Sequence, residues 1–212
     1  MALLGTSACR SAPDVAAYVG DRAITEARVT ELIDGLMAAM QSAGQNGQRP
    51  DRAQVVNLLV GNEVCERARA KTGFPVEPPQ LEPGLDELRT IGQQTAACMQ
   101  AMPIGKPAEP SEAEIREVFD AGVRLNMFEA GSFDQQRQQL LEGGQLADAV
   151  ARRKVLAAAV ADADVKINPK YHPMEFALLS WQQGPAFSLR LTRQSPVVDA
   201  PPKTEAPQQP PQ

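Results

Sequence analysis

Catalysis needs nucleophiles, acids and bases that can converge, and this sequence offers few of them. There is one histidine, His172, between Tyr171 and Pro173, and there are three cysteines, Cys9, Cys65 and Cys98. An imidazole with no located partner makes no catalytic constellation. Cys65 and Cys98 fall in helical patterns without the context of a nucleophile, and no G-x-S-x-G occurs. A single imidazole also excludes His-rich zinc sites, bis-histidine haem ligation and the HExxH helix pair, each of which needs two. The acid pair Glu112/Glu114 belongs to the first turn of a helix, where carboxylates favour the dipole. Asp162/Asp164 sits at a helix-to-strand junction. Gly143-Gly144 lacks the later lysine or glycine of a phosphate loop. These residues predict no enzyme, no cofactor and no metal centre, with His172 a surface loop residue.

The cysteines carry a different chemistry. Met1-Ala2-Leu3-Leu4-Gly5-Thr6-Ser7-Ala8-Cys9 reads as the last part of a bacterial lipoprotein signal, with small residues directly before a cysteine that would be lipidated. The basic n-region and most of the apolar core of such a signal are missing, so a start further upstream is expected. Residues 1–9 are thus expected to be a truncated signal, and Cys9 a lipid anchor to the outer face of the cell membrane. Cys65 and Cys98 would then remain as an even pair in an oxidising compartment. Bridged, they would clamp one helix to the next and stabilise the fold by roughly 3–4 kcal/mol. Unbridged, they would be two buried thiols acting as small hydrophobes.

Methionine is the other signal. Met37 and Met40 end one amphipathic helix, Met99 and Met102 end another, and Met127 follows a third. Such flexible, polarisable side chains suit promiscuous apolar binding surfaces, and they equally fill gaps in a core short of aromatics. The binding alternative predicts that Leu36, Met40, Met99, Met102 and Phe119 line a shallow apolar groove for extended, unfolded segments.

Helices must position these residues. Val15–Val19 is β-prone and is followed by a Gly20-Asp21 turn and Arg22-Ala23-Ile24. Thr25 caps a helix with Val29, Leu32, Ile33, Leu36 and Met40 at helical spacing, ending near Gly44. Asp51, with Gln54 three residues on, opens a second helix whose Val55, Val56, Leu58, Leu59, Val60 and Val64 cover more than half the cylinder, so it should be central. The prolines of 75–79 end it. Leu85, Leu88, Ile91, Thr95, Met99 and Met102 mark a third helix. Ser111-Glu112-Ala113-Glu114 is a capping box for a fourth, with Ile115, Val118, Phe119 and Val123 on its buried face. Ser132–Gln135 is a second box, opening a short helix through Leu141. A further helix carries Leu146, Val150, Leu156 and Val160, with Arg152, Arg153 and Lys154 solvated between them. Val165 and Ile167 alternate as a strand, and Phe187, Leu189 and Leu191 alternate again.

Composition narrows the partners. The chain has 212 residues, 43% hydrophobic but only 4% aromatic, with 21 Lys+Arg against 26 Asp+Glu and a formal charge of −5. Too few aromatics exist for base-stacking platforms, and the basic residues are scattered, so nucleic acid is not an expected partner. Residues 195–212 are rich in Pro and Gln and read as a disordered tail.

The order of elements brings a resemblance. Val19-Gly20-Asp21-Arg22-Ala23-Ile24-Thr25, the apolar helix Val55 to Gly73 with Ala68 and Gly73 at its end, and Asp164-Val165-Lys166-Ile167-Asn168-Pro169-Lys170-Tyr171 resemble the N-terminal chaperone domain of the SurA/PrsA/PpiD folding factors, in the form of a short SurA-like lipoprotein. Asn62, Glu63, Cys65, Lys170 and His172 depart from that pattern. The resemblance covers residues 15–172. It implies a mainly α fold with a small β element pairing the N- and C-terminal strands and an extracytoplasmic holdase for unfolded secreted or surface polypeptides; residues 173–194, beyond it, read as a C-terminal extension. Family members usually add a parvulin isomerase with paired histidines, whereas 107–163 reads as helix here, so no isomerase activity is expected. The alternative function is an adaptor lipoprotein docking one folded partner.

Overall fold

Val15–Val19 (β1) is the strand on which the fold closes. It pairs antiparallel with Arg22–Thr25 (β2) on one side and with Val165–Ile167 (β3) on the other, so segments far apart in sequence meet in one three-stranded sheet. This computed structural model describes residues 13–81, 86–107 and 109–191. Cys9, with the rest of the signal-like segment, and the 195–212 tail lie outside them. Of the described residues, 57% are helical and 16% are in strands.

The β1–β2 turn needs its glycine. Gly20 has φ +59°, and a Cβ there would lie 2.6 Å from Nη1 of Arg67. That arginine holds Asp21 at the turn and Glu63 on the following helix bundle, and Glu63 also receives Arg22 at 2.7 Å.

The helices are Glu26–Ser42 (α1), Arg52–Thr72 (α2), Glu87–Ala101 (α3), Glu112–Arg124 (α4), Phe133–Leu141 (α5) and Gln145–Asp162 (α6). Thr25, Asp51 and Asp86 cap the first three by accepting from the amides of Arg28, Ala53 and Arg89. At α4 both bonds of the capping box form between Ser111 and Glu114. The box expected at Ser132 does not form. Its hydroxyl instead donates to the Glu129 carbonyl at 2.8 Å, and its backbone is not extended as a cap requires. α2 is central, with Val56, Val60 and Val64 fully buried, and it packs on α1, α3, α6 and both neighbouring sheets.

The expected C-terminal extension is instead part of the body. Met174–Trp181 (β4) and Gly184–Leu191 (β5) form a separate antiparallel hairpin. Met174, Phe176, Leu189 and Leu191 join the main core with α1, α2 and α6. Ala186 and Phe187 join a second core between α4, α5 and α6. Close contact with α2 is made at Gly61, where a Cβ would stand 3.2 Å from the Phe176 ring. β1 pairs with β3, the strand that closes residues 15–172, while β5 pairs with β4 in its own hairpin. The hairpin satisfies its inner backbone groups itself, leaving β3 free for β1.

The segment after β3 is held by polar contacts. Asn168 donates from its amide side chain to the Val15 carbonyl at 3.0 Å, and its backbone N–H bonds to Ala16 at 2.9 Å. The Tyr171 hydroxyl donates to the Glu26 carboxylate at 2.8 Å, which also receives Arg52 and Lys170, each at 2.7 Å. Burial alone would raise the Glu26 carboxyl. Hydrogen bonds from Lys170, Arg52 and Tyr171 outweigh it and hold the group below its ordinary value of 4.5. Because the folded value is depressed, the ionised carboxylate stabilises the fold above that ordinary value and loses its contribution as the pH falls through the folded one. Tyr171→Phe should therefore cost about 2 kcal/mol at neutral pH. Urea unfolding should show the difference from wild type shrinking as the pH is taken down through the carboxylate range, below the ordinary value of 4.5; a difference that does not change with pH would contradict this role.

Candidate functional site

α3 ends at Met102 because Pro103 follows and pushes Met102 into an extended conformation, φ −60° and ψ 123°. An ending helix leaves carbonyls without partners. Arg152, reaching across from α6, donates to those of Met99 at 3.1 Å and Gln100 at 3.4 Å. Its charge also suits the negative end of the helix dipole. Arg153 is likewise drawn in, pairing with Glu117 at 2.6 Å and Glu114 at 3.0 Å and lying 3.9 Å over the Phe187 ring. Of the Arg152-Arg153-Lys154 run expected to be solvated, only Lys154 is exposed.

A groove of about 420 Å³ opens beside this helix end. One wall is Ala96, Met99 and Gln100 of α3, continued by Met102 and Ile104. Leu156 and Arg152 of α6 form the second wall, and Ala177 and Leu178 of β4 the third. Arg152 is the one charged side chain among them. Across the Met102-Pro103 ridge lies a second apolar hollow of about 350 Å³, lined by Phe74, Val155 and Ala159, with the Lys71–Asp162 ion pair at its rim. A third hollow, about 520 Å³, runs between α4, α6 and β5 and is charged, with Glu114, Glu117, Arg153, Lys154 and Arg190. Burial would raise the Glu114 carboxyl, but the Ser111 amide and hydroxyl and Arg153 hold it below its ordinary value.

Cys65 of α2 and Cys98 of α3 are joined by a disulfide with Cα atoms 6.1 Å apart. Both are buried in a small cluster with Phe74 and Met102.

The five residues expected in one groove are distributed over three places. Met99 and Met102 line it together. Leu36 is 9% exposed in the main core, and Met40 packs on that core and covers Gly47. Phe119 is buried in the second core, its ring 5.8 Å from Phe128 and 5.2 Å from Phe133. An apolar helical stripe identifies which face is buried, not which neighbour covers it, and Phe119 is taken up by aromatic partners. Ile104, Leu178, Arg152 and Ala177 were not foreseen. Ile104 stands alone in a proline-flanked link, and β4 loses strict alternation at its irregularities between Ala177 and Ser180.

His172 has Nδ1 3.3 Å from the Leu191 carbonyl. Among the described residues no three His, Cys, Asp or Glu side chains gather as metal ligands, and no helix is long and apolar enough to cross a membrane. No protein family, curated protein or solved structure matches the chain.

Proposed function

We propose that the chain is a SurA-like extracytoplasmic chaperone domain that holds unfolded secreted or surface polypeptides without isomerising prolines, tethered to the membrane by a lipid on Cys9. The observation that carries this reading is the groove in which Met99, Met102, Ile104 and Leu178 meet beside a strand edge. Those four side chains are apolar and two of them are flexible methionines, as a surface for many unrelated sequences needs. Three further features support the reading. β1, β2, α1 and α2 follow one another in the order that the resemblance requires, and β3 returns to β1. A disulfide between α2 and α3 suits an oxidising compartment. Residues between α3 and β3 form α4, α5 and α6, where a β-rich isomerase unit would otherwise be inserted.

Aggregation of a chemically unfolded, reduced test protein measures the activity. The wild-type chain should suppress it for several unrelated clients. Ile104→Asp puts a charge on a half-buried link residue outside the core and should raise the concentration needed by about fivefold, the cost of desolvating a carboxylate against an apolar client. Suppression unaffected by the substitution would count against the groove. Tight binding to one folded protein, with no suppression, would favour an adaptor.

A further inference from the structure

The hairpin register shows which backbone groups of β4 face the groove. Glu175, Phe176 and Ala177 pair in order with Arg190, Leu189 and Ser188. In an antiparallel ladder, alternate residues turn both their N–H and C=O away from the partner strand. The Glu175 carbonyl points outward, because it accepts from the Asn57 side chain of α2 at 2.7 Å. Phe176 must then face β5, and Ala177 must point its N–H and C=O outward again. Ala177 is exposed and lines the groove, and among the described residues no backbone group pairs with it outside the hairpin. The strand edge is therefore closed by α2 at Glu175 and open at Ala177.

Arg152 brings a positive charge to the same groove. Most described arginines are ion-paired, but Arg152 has no carboxylate within reach among the described residues. Its Nη1 is engaged by α3 carbonyls, leaving donors on Nε and Nη2 of the guanidinium fork. Among the described residues the groove is lined by apolar side chains on three walls, one amide, one cation and no carboxylate, which complements an apolar chain that carries a negative charge.

We infer that the groove takes the C-terminal end of an extended apolar polypeptide, which adds as a strand to β4 at Ala177 and presents its terminal carboxylate to Arg152. A terminus fits better than a passing segment, since a strand added at Ala177 meets α2 at the next outward position. Main-chain bonds would provide sequence-tolerant affinity and Met99, Met102 and Leu178 the side-chain pockets. This inference rests on the polypeptide-binding reading above and specifies how that site works.

Fluorescence anisotropy with a labelled peptide of alternating Thr and Val ending in Leu tests it on the wild-type chain. The free acid should bind about tenfold more tightly than the same peptide as its C-terminal amide. An amidated peptide with an internal Glu should behave as the amide, which separates a terminal from a side-chain carboxylate. Arg152→Gln should abolish the acid preference while amide binding persists. Ala177→Pro removes an outward N–H, a change that strand edges tolerate, and should weaken every peptide about tenfold without lowering the melting temperature of the protein appreciably. Equal binding of acid and amide, or of the terminal and the internal carboxylate, would overturn the inference, and so would full binding by Ala177→Pro. If client aggregation is still suppressed in that event, the holdase reading survives without it; loss of both would remove the two together.

Discussion

A chain terminated after His172 is expected to lose cooperative unfolding. That position is where the resemblance ends, so a domain of residues 15–172 would be expected to fold alone. The structure places Met174, Phe176, Leu189 and Leu191 in the main core and Phe187, only 1% exposed, in the second. Burying a large apolar side chain contributes about 2 kcal/mol, so losing these five removes about 10 kcal/mol, comparable with the whole net stability of an ordinary domain. The loss also uncovers α2 at Gly61 and the faces of α4 and α6 that pack on β5. Helical circular dichroism should survive in part, because caps such as the Ser111–Glu114 box are local. The near-ultraviolet signal and the sharp thermal transition should disappear. A truncated chain melting cooperatively near the full-length temperature would show that the hairpin is an appendage after all.

Opening the Cys65–Cys98 bridge should be the next largest loss. The two residues are separated by 33 positions, and on the chain-entropy model such a cross-link stabilises by about 4 kcal/mol through the unfolded state. In a chain of this size that corresponds to a fall of roughly 10 °C in melting temperature. The double variant Cys65→Ala, Cys98→Ala should show it without reductant, with a small further loss for the volume removed beside Phe74 and Met102. Reductant should lower the wild-type melting temperature and leave that of the double variant unchanged. Because Cys98 precedes Met99, the end of α3 that forms the groove wall should loosen as well, and client binding should weaken at temperatures where the reduced protein is still folded. Identical melting with and without reductant would contradict the account.

Local signals in the sequence translated well where the side chain and its target lie within one turn. Thr25, Asp51 and Ser111 cap the helices expected of them. The apolar surround of α2 correctly makes it central. Alternation at Phe187, Leu189 and Leu191 marks β5, whereas β4 was obscured by two irregularities in its pairing. Tertiary choices were not legible. Nothing local to Ser132 reveals that the Glu129 carbonyl will take its hydroxyl, and nothing near Arg152 reveals that the end of α3 will sit beside it. For the same reason the methionine pattern grouped residues that the packing separates. Of the five, Met99 and Met102, one turn apart at a helix end, line the groove, which is completed by α6, a linker residue and a strand that carry no signal of binding by themselves.

The proposed function places unfolded polypeptide in the groove formed by α3, α6 and β4. Amide chemical-shift mapping tests it directly: a permanently unfolded, carboxymethylated protein is titrated into the isotope-labelled chain. The account predicts saturable shifts concentrated at residues 96–104, 152–156 and 177–178, with the β1–β3 sheet unaffected. Shifts absent from those segments, or centred on the charged hollow between α4 and β5, would contradict it.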